Sequence, residues 1–181
     1  MQITDLYIVR HGHPQLNTGV AYDRPPGPPL SEVGRAEARL AGLYLAGRGV
    51  TCLYASPLER AQNTAHIIAG ETGLPVLTEP ALAEHRNDES FDAVKARVAG
   101  FLSRLQHEPA SAVVLVSHGS PIKAMLQILS CERIDLSRHI YANGNHVPTA
   151  GIWHARRGAQ EWSLDLVFRP VVATPAAHVP V

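Results

Sequence analysis

A three-layer α/β/α sandwich with a mostly parallel, mixed-edge sheet is predicted from three features of the 181-residue sequence. Two apolar runs, residues 6–9 and 112–116, each stop abruptly in a polar cluster that contains a His-Gly pair. Stretches with the apolar spacing of helices separate and follow these runs, and two strand-like segments lie near the carboxyl end. Short apolar runs fit buried parallel strands, which place chemistry beyond their carboxyl ends. We therefore expect the two His-Gly pairs to meet at one site.

The first half of the chain alternates strand and helix patterns. Ser31 can cap a helix that runs over residues 31–47. Residues 51–55 have a strand pattern, and the Ser-Pro pair that follows them begins a helix over residues 58–72. Pro57 is expected at the first position of that helix, where its missing N–H matters least.

The second half continues the same alternation and ends in an antiparallel edge. The predicted elements are a short edge strand at residues 76–77, a helix at 91–107, the second His-Gly strand at 112–116, a helix at 119–129 with Pro121 near its start, and two strands joined by a turn at 150–154 and 162–167.

Two loops are expected beside the site. Residues 18–29 are rich in proline and glycine, so they can form neither a helix nor a central strand, and we interpret them as a wall or lid of a pocket. Residues 79–90 are predicted to be a polar loop. We expect residues 1–181 to form a single domain, with a loosely ordered tail at residues 169–181.

Composition excludes several classes of function. The formal net charge is zero, so the chain lacks the long-range field that would gather nucleic acid or an anionic membrane surface. Neither a signal peptide nor an apolar stretch of membrane-spanning length is visible, and we expect a cytoplasmic protein. The spacing of Cys52 and Cys131 predicts buried free thiols rather than a disulfide framework.

The order of the motifs carries a family resemblance over roughly residues 4–130. The motifs are Arg10-His11-Gly12, Asn17, Ser56-Pro57, Arg60-Ala61, Thr64-Ala65, Leu82-Ala83-Glu84 and Val116-Ser117-His118-Gly119. In this order they resemble the histidine phosphatase superfamily, the family of the phosphoglycerate mutases. The resemblance implies a phosphoglycerate mutase-like fold and phosphoryl transfer.

Four of these residues suit phosphoryl transfer by their chemistry. Arg10 and Arg60 offer rigid forks of donors that match a phosphate group. A neutral imidazole is a nucleophile, so His11 is predicted to form a phosphohistidine, with its other ring nitrogen donating to a backbone carbonyl. His118, protonated or donating, is expected to hold a phosphoryl oxygen in the transition state.

The leaving group needs a proton donor, and water needs a base. Glu84 is the predicted acid, because Leu82-Ala83-Glu84 resembles the acid motif of the family. The segment after Glu84 departs from the usual family pattern, so Asp88 and Glu89 stay open as replacements. The resemblance assigns Asn17 as a phosphate donor, and the backbone at Gly119 is expected to offer the start of a helix to the anion.

Further contacts to the substrate are expected from His13, Arg24 and Arg86, with Lys123 as another candidate. Although the chain has ten histidines, their spacing completes no coordination shell. With arginines supplying the positive charge, we predict neither a metal nor a cofactor.

Three functions are compatible with these residues. The first is a metal-independent phosphomonoesterase that works through His11. The second is a phosphoglycerate-type mutase, and the third is a protein that binds phosphorylated ligands without turnover. A small phosphorylated substrate is expected, and sugar phosphates, nucleotide-like phosphates, phosphoglycerates and phosphoproteins all stay open, as does the oligomeric state.

Overall fold

The two apolar runs that end in His-Gly form adjacent parallel strands in the middle of a six-stranded sheet. The computed structural model describes residues 2–172. Its strands are β1 (Asp5–Arg10), β2 (Cys52–Ala55), β3 (Val76–Thr78), β4 (Ala112–Ser117), β5 (Ile152–Arg157) and β6 (Trp162–Phe168), and its helices are α1 (Glu32–Ala46), α2 (Glu59–Thr72), α3 (Phe91–Leu105) and α4 (Gly119–Leu129).

The strand order is β3-β2-β4-β1-β5-β6. Strands β1 to β4 pair in parallel, whereas β5 is antiparallel to β1 and to β6. The predicted α/β fold, the short edge strand and the antiparallel edge are therefore confirmed.

The sheet is covered on both faces because its central strands are apolar on both sides. Leu6 and Ile8 of β1 pack into a core with α3 and α4. Tyr7 and Val9, which alternate with them, pack into a second core with α1 and α2. No helix within residues 2–172 combines the length and the apolar character that crossing a bilayer requires.

Three sequence expectations differ from the structure. Pro57 lies before α2 rather than at its first position, because the N–H of Leu58 approaches the Ser56 hydroxyl in a turn that delays the helix. The segment 79–90 is not uniformly a polar loop: it contains a 3₁₀ turn at Pro80–Leu82, of which Ala81 and Leu82 are buried in a core. Cys131 is exposed and Cys52 is half-buried, so neither is the buried thiol expected.

Of the tail predicted at residues 169–181, the part from residue 173 lies outside the described residues.

Candidate active site

The register between β1 and β4 brings the two histidines together. Arg10 pairs with Ser117, so the residues that follow each of them leave the sheet side by side. The N–H of His11 donates to the Ser117 carbonyl at 3.0 Å, which extends the pairing by one residue. As a result the rings of His11 and His118 have centroids 5.0 Å apart, and both side chains are buried.

The ring of His11 is held in one tautomer by its neighbours. Nδ1 lies 2.8 Å from the carbonyl oxygen of Gly12, an acceptor, so Nδ1 carries the proton. Nε2 accepts a hydrogen bond from Nε of Arg60 at 3.2 Å. The backbone carbonyl that the sequence analysis expected is thus that of Gly12, and the lone pair of Nε2 faces a guanidinium.

Two buried guanidiniums flank the histidines. Arg60 is fully buried and Arg10 is 6% exposed, yet neither forms an ion pair with a carboxylate of residues 2–172. Each donates to one main-chain carbonyl, Arg10 to Val147 at 3.0 Å and Arg60 to Tyr22 at 2.8 Å. Buried cations without a counter-charge are costly, so the arrangement favours an anion.

Three buried donors of this site have no hydrogen-bond partner among the described residues. They are Nε of Arg10, Nη2 of Arg60 and Nδ1 of His118. Buried polar nitrogens are almost always paired in folded proteins. Arg60 and His118 contact the ring of His11, and Arg10 precedes His11 in the chain. The number of unpaired nitrogens suits the oxygens of a phosphoryl group. We call Arg10, His11, Arg60 and His118 the inner cluster.

Glu84 is the carboxylate next to the inner cluster. Its Oε2 lies 4.0 Å from Nδ1 of His118, and its Oε1 accepts the N–H of His85 at 2.9 Å. On the other side of the ring, Nε2 of His118 lies 2.7 Å from the buried hydroxyl of Ser56. A carboxyl group therefore lies 4.0 Å from one of the three unpaired nitrogens, Nδ1 of His118.

The surroundings of both histidines favour their uncharged form by lowering the pKa of each ring. Burial lowers the pKa of His11 well below 6.5, and the neighbouring Arg60 and Arg10 lower it further. Burial and the same arginines lower the pKa of His118 in the same direction. The lowered pKa favours a neutral His118, whose Nδ1 can donate when Nε2 accepts from the Ser56 hydroxyl, and a neutral His118 forms no ion pair with Glu84.

Two loops form the entrance to the inner cluster, and we call residues 18–29 and 83–90 the outer loops. They enclose a cavity of about 530 Å³ together with Ser120 at the start of α4. The ring of Tyr22 stacks on the guanidinium of Arg60 at 3.9 Å, and Asp23 accepts the N–H of Asn87 at 3.1 Å. The expectation that residues 18–29 form a wall of the pocket is confirmed.

The replacement acids are occupied elsewhere. Asp88 accepts two hydrogen bonds from Arg86, at 2.9 and 2.6 Å, which lower its pKa. Glu89 forms a bidentate pair with Arg97 of α3, and this pair lowers the pKa of Glu89. Neither carboxylate has a described contact with the inner cluster, so Glu84 is the remaining acid candidate.

Several residues predicted for the site do not contact the inner cluster. Asn17 is exposed in a left-handed conformation, with φ of 56°, and its side chain makes no hydrogen bond to any described residue. His13 is exposed, and its ring approaches the hydroxyl of Ser31 at the start of α1. Neither side chain has a described contact with the inner cluster in this structure.

The residues expected to make further contacts to the substrate have other partners in the structure. Arg24 and Arg86 both pair with Asp88, at 3.6 and 2.6 Å, and so connect the outer loops. Lys123 lies 5.3 Å from the ring centre of Phe91 in a neighbouring hollow. Gly119 is needed for space, because a Cβ there would overlap the side-chain oxygen of Asn145.

Sequence reasoning gave no role to four residues that position the site. Ser56 holds His118, and Thr64 accepts the N–H of Gly12 at 3.0 Å. Both lie in the motifs quoted above, so their presence there was an available signal. Tyr22 and Arg97 lie outside those motifs. Arg97 donates to the carbonyl of Ala81, just before the acid motif, and to that of Glu84 at its end.

Curated relatives match less than half of this chain. The "Uncharacterized protein Rv0525" of Mycobacterium tuberculosis (strain ATCC 25618 / H37Rv) is 44% identical over 84 residues, which cover 46% of this chain and 42% of that protein. The "Probable phosphoglycerate mutase GpmB" of Yersinia pestis (strain Pestoides F) is 37% identical over 79 residues, 44% of this chain and 37% of that protein. The matched segments thus span less than half of the length of these relatives.

Comparisons of structure and of family pattern extend over most of the chain. The solved structure of the mycobacterial glucosyl-3-phosphoglycerate phosphatase Rv2419c with VO3 has a TM-score of 0.71 at 25% identity, covering 90% of this chain and 97% of that one. The family model "Histidine phosphatase superfamily (branch 1)" matches residues 6–88 and 84–168. Because these matches reach from β1 to β6 and include the whole inner cluster, the chain belongs to branch 1 of the histidine phosphatase superfamily.

Proposed function

We propose that this chain hydrolyses phosphate monoesters without a metal ion, through a phosphohistidine on His11. The observation that carries the proposal is the set of three unpaired buried donors on Arg10, Arg60 and His118, next to a neutral imidazole. Two guanidiniums would supply the positive charge that phosphoryl transfer requires. The phosphatase named among the structural relatives supports the same class of reaction.

In the first step, Nε2 of His11 attacks phosphorus, and the bond from phosphorus to the ester oxygen breaks. When substrate binds, Nε of Arg60 would donate to a phosphoryl oxygen instead of to Nε2 of His11. The lone pair of Nε2 is then free to attack. His118 and Arg10 would stabilise charge on the equatorial oxygens. The carboxyl group of Glu84 gives its proton to the departing alkoxide.

In the second step, the carboxylate of Glu84 takes a proton from water. The water oxygen bonds to phosphorus, the N–P bond breaks, and His11 returns to its neutral form while inorganic phosphate leaves. The hydrogen bond from Nδ1 to the Gly12 carbonyl would keep the same nitrogen in place through both steps. Asn17 and the backbone at Gly119 remain proposals as supporting donors.

A phosphoglycerate-type mutase is the second candidate, because the Yersinia pestis relative carries that name. A mutase must keep water from the phosphohistidine while a bisphosphate reorients. The cavity of about 530 Å³ opens between the outer loops, which favours access of water and therefore hydrolysis. Assay of phosphoglycerate interconversion with a bisphosphate primer separates the two.

The test of the proposal is hydrolysis of p-nitrophenyl phosphate in excess chelator by the wild type, by His11→Ala and by His107→Ala. We expect the His11 variant to lose at least about 10⁴-fold in kcat, as removal of a nucleophile does in other enzymes. His107 is exposed beyond the end of α3, so its variant is a matched control.

A rapid quench should also trap a phosphoryl adduct that is stable in base and labile in acid, as a phosphohistidine is. Chelator-sensitive turnover would overturn the metal-free mechanism. No turnover with no adduct, but with tight phosphate binding, would favour the ligand-binding protein instead.

A further inference from the structure

The cavity between the outer loops has the lining of a leaving-group site. Its walls are Tyr22 and Asp23 on one loop, Glu84, His85 and Asn87 on the other, and Ser120 at the start of α4. It touches the inner cluster at two points, through Tyr22 stacked on Arg60 and through Glu84 beside His118. When the inner cluster holds the phosphate group of an ester, this cavity remains available for the rest of the ester.

The walls of this cavity contain two acidic side chains and no Lys or Arg side chain. Asp23 and Glu84 line it, whereas the nearby guanidiniums of Arg24 and Arg86 are paired with Asp88 and are not among its walls. Lys123 belongs to the neighbouring hollow and lies against Phe91. A leaving group with its own negative charge would face the Asp23 carboxylate, with Glu84 beside it as the proton donor and no Lys or Arg among the described walls.

Hydrogen bonding in the walls fits hydroxyl groups. Asp23 uses one carboxylate oxygen to accept the N–H of Asn87, and its other oxygen accepts no hydrogen bond from the described residues. A carboxylate can accept a hydrogen bond from a hydroxyl of the leaving group. The Asn87 amide and the Ser120 hydroxyl can each donate a hydrogen bond to such a hydroxyl. The Tyr22 ring offers an apolar surface beside these groups.

Building on the proposed phosphatase activity, we propose that the substrate is the phosphate ester of an uncharged, hydroxyl-bearing leaving group, and that Asp23 selects against anionic ones. The volume of about 530 Å³ suits a small molecule of this kind. A cationic group finds no cation–π contact on the inner face of Tyr22, because Arg60 already covers that face.

A matched pair of esters tests the proposal. Glycerol 3-phosphate and 3-phosphoglycerate share one skeleton and differ in a hydroxymethyl group against a carboxylate. We expect kcat/KM to be at least about tenfold higher for glycerol 3-phosphate in the wild type. Asp23→Asn keeps an acceptor for the Asn87 N–H but removes the charge, so it should narrow that ratio at least about threefold.

Glu108→Gln is the matched control, because it removes one exposed carboxylate beyond the end of α3 and should leave the ratio unchanged. An equal or reversed preference in the wild type would overturn the proposal. Phosphoethanolamine turned over faster than glycerol 3-phosphate would overturn it in favour of a cationic leaving group. A ratio that responds to Lys123→Met but not to Asp23→Asn would move the leaving group to the neighbouring hollow.

Failure of the proposed function is distinguishable, because it shows as absent hydrolysis of p-nitrophenyl phosphate. In that case calorimetric binding of the two esters to the wild type gives the same comparison without turnover. Tighter binding of glycerol 3-phosphate would retain the preference, and tighter binding of 3-phosphoglycerate would reject it.

Discussion

The inner cluster and the outer loops both hold arginines, but they hold them by different means. Arg60 is fully buried and bonds to His11 and to a main-chain carbonyl, with one nitrogen left unpaired. Arg86 is half exposed and bonds to a carboxylate two residues away. An arginine that is buried without a counter-ion is available to an anion, whereas one paired at the surface contributes chiefly to loop geometry.

Exchanging arginine for lysine should separate the two regions most strongly. Arg60→Lys keeps the charge but loses the fork that can contact both His11 and a phosphoryl oxygen. We expect kcat/KM for p-nitrophenyl phosphate to fall about 10²- to 10³-fold, the usual loss when a transition-state donor is removed. Arg24→Lys, in an outer loop, should change it less than about threefold. Equal losses in the two variants would remove the distinction between the regions.

The close packing of the backbone next to the inner cluster should make the fold sensitive to an added Cβ at Gly34. Gly34 of α1 lies so close to the end of β1 that a Cβ would overlap the carbonyl of His13. Gly34→Ala should therefore lower the free energy of unfolding by about 1–3 kcal/mol, measured by urea denaturation. Gly100→Ala is the control, because a Cβ there meets only the tip of Arg104 in α3, and it should raise stability by about 0.5–1 kcal/mol.

Sequence reasoning reached Arg10, His11 and His118 through local patterns, and Arg60 through the order of motifs that carries the family resemblance. An apolar strand followed by Arg10-His11 and another followed by His118 are local patterns, and pairing in register is enough to join them. It could not find the Val147 carbonyl that accepts from Arg10, because that contact joins positions 137 residues apart with no motif at the second. The partners of backbone acceptors depend on packing rather than on residue type.

The outer loops were predicted only as loops. The sequence offered Arg24 and Arg86 as contacts to substrate, and nothing in their neighbourhood indicated that Asp88 would engage both. Tyr22 was not singled out, although its ring covers Arg60. Proline and glycine define where such a segment lacks regular structure, but they do not define which of its side chains faces the site.

The pH dependence of stability should separate the two regions. Burial first, and then the nearby arginines, lower the folded-state pKa of His11 and His118 below 6.5, so the unfolded chain binds their protons more readily. The free energy of unfolding should then fall as pH drops below 6.5, by up to about 1.4 kcal/mol per pH unit for each histidine. His118→Asn should remove up to half of this slope in urea titrations between pH 7 and pH 5.

The carboxylates of the outer loops act in a more acidic range. A hydrogen bond from Arg86 lowers the pKa of Asp88 below 3.8, so any contribution of that pair persists above this value and is lost as the pH falls through the folded-state pKa. A stability curve that is flat from pH 7 to pH 5 would contradict the buried, neutral state of the two histidines.

The smallest effect is expected from Asp88→Asn, which releases both guanidiniums of the outer loops at once. Because the pairs are exposed, the melting temperature should move by no more than about 2 °C, and hydrolysis of p-nitrophenyl phosphate by less than about twofold. Arg24 and Arg86 would then be free to attract an anionic leaving group. The kcat/KM for 3-phosphoglycerate should therefore rise relative to that for glycerol 3-phosphate. Scanning calorimetry and the paired esters measure both outcomes. A loss of p-nitrophenyl phosphate hydrolysis as severe as that of Arg60→Lys would contradict this expectation. The ion pairs of the outer loops would then position the residues of the inner cluster, and the two regions would not be independent.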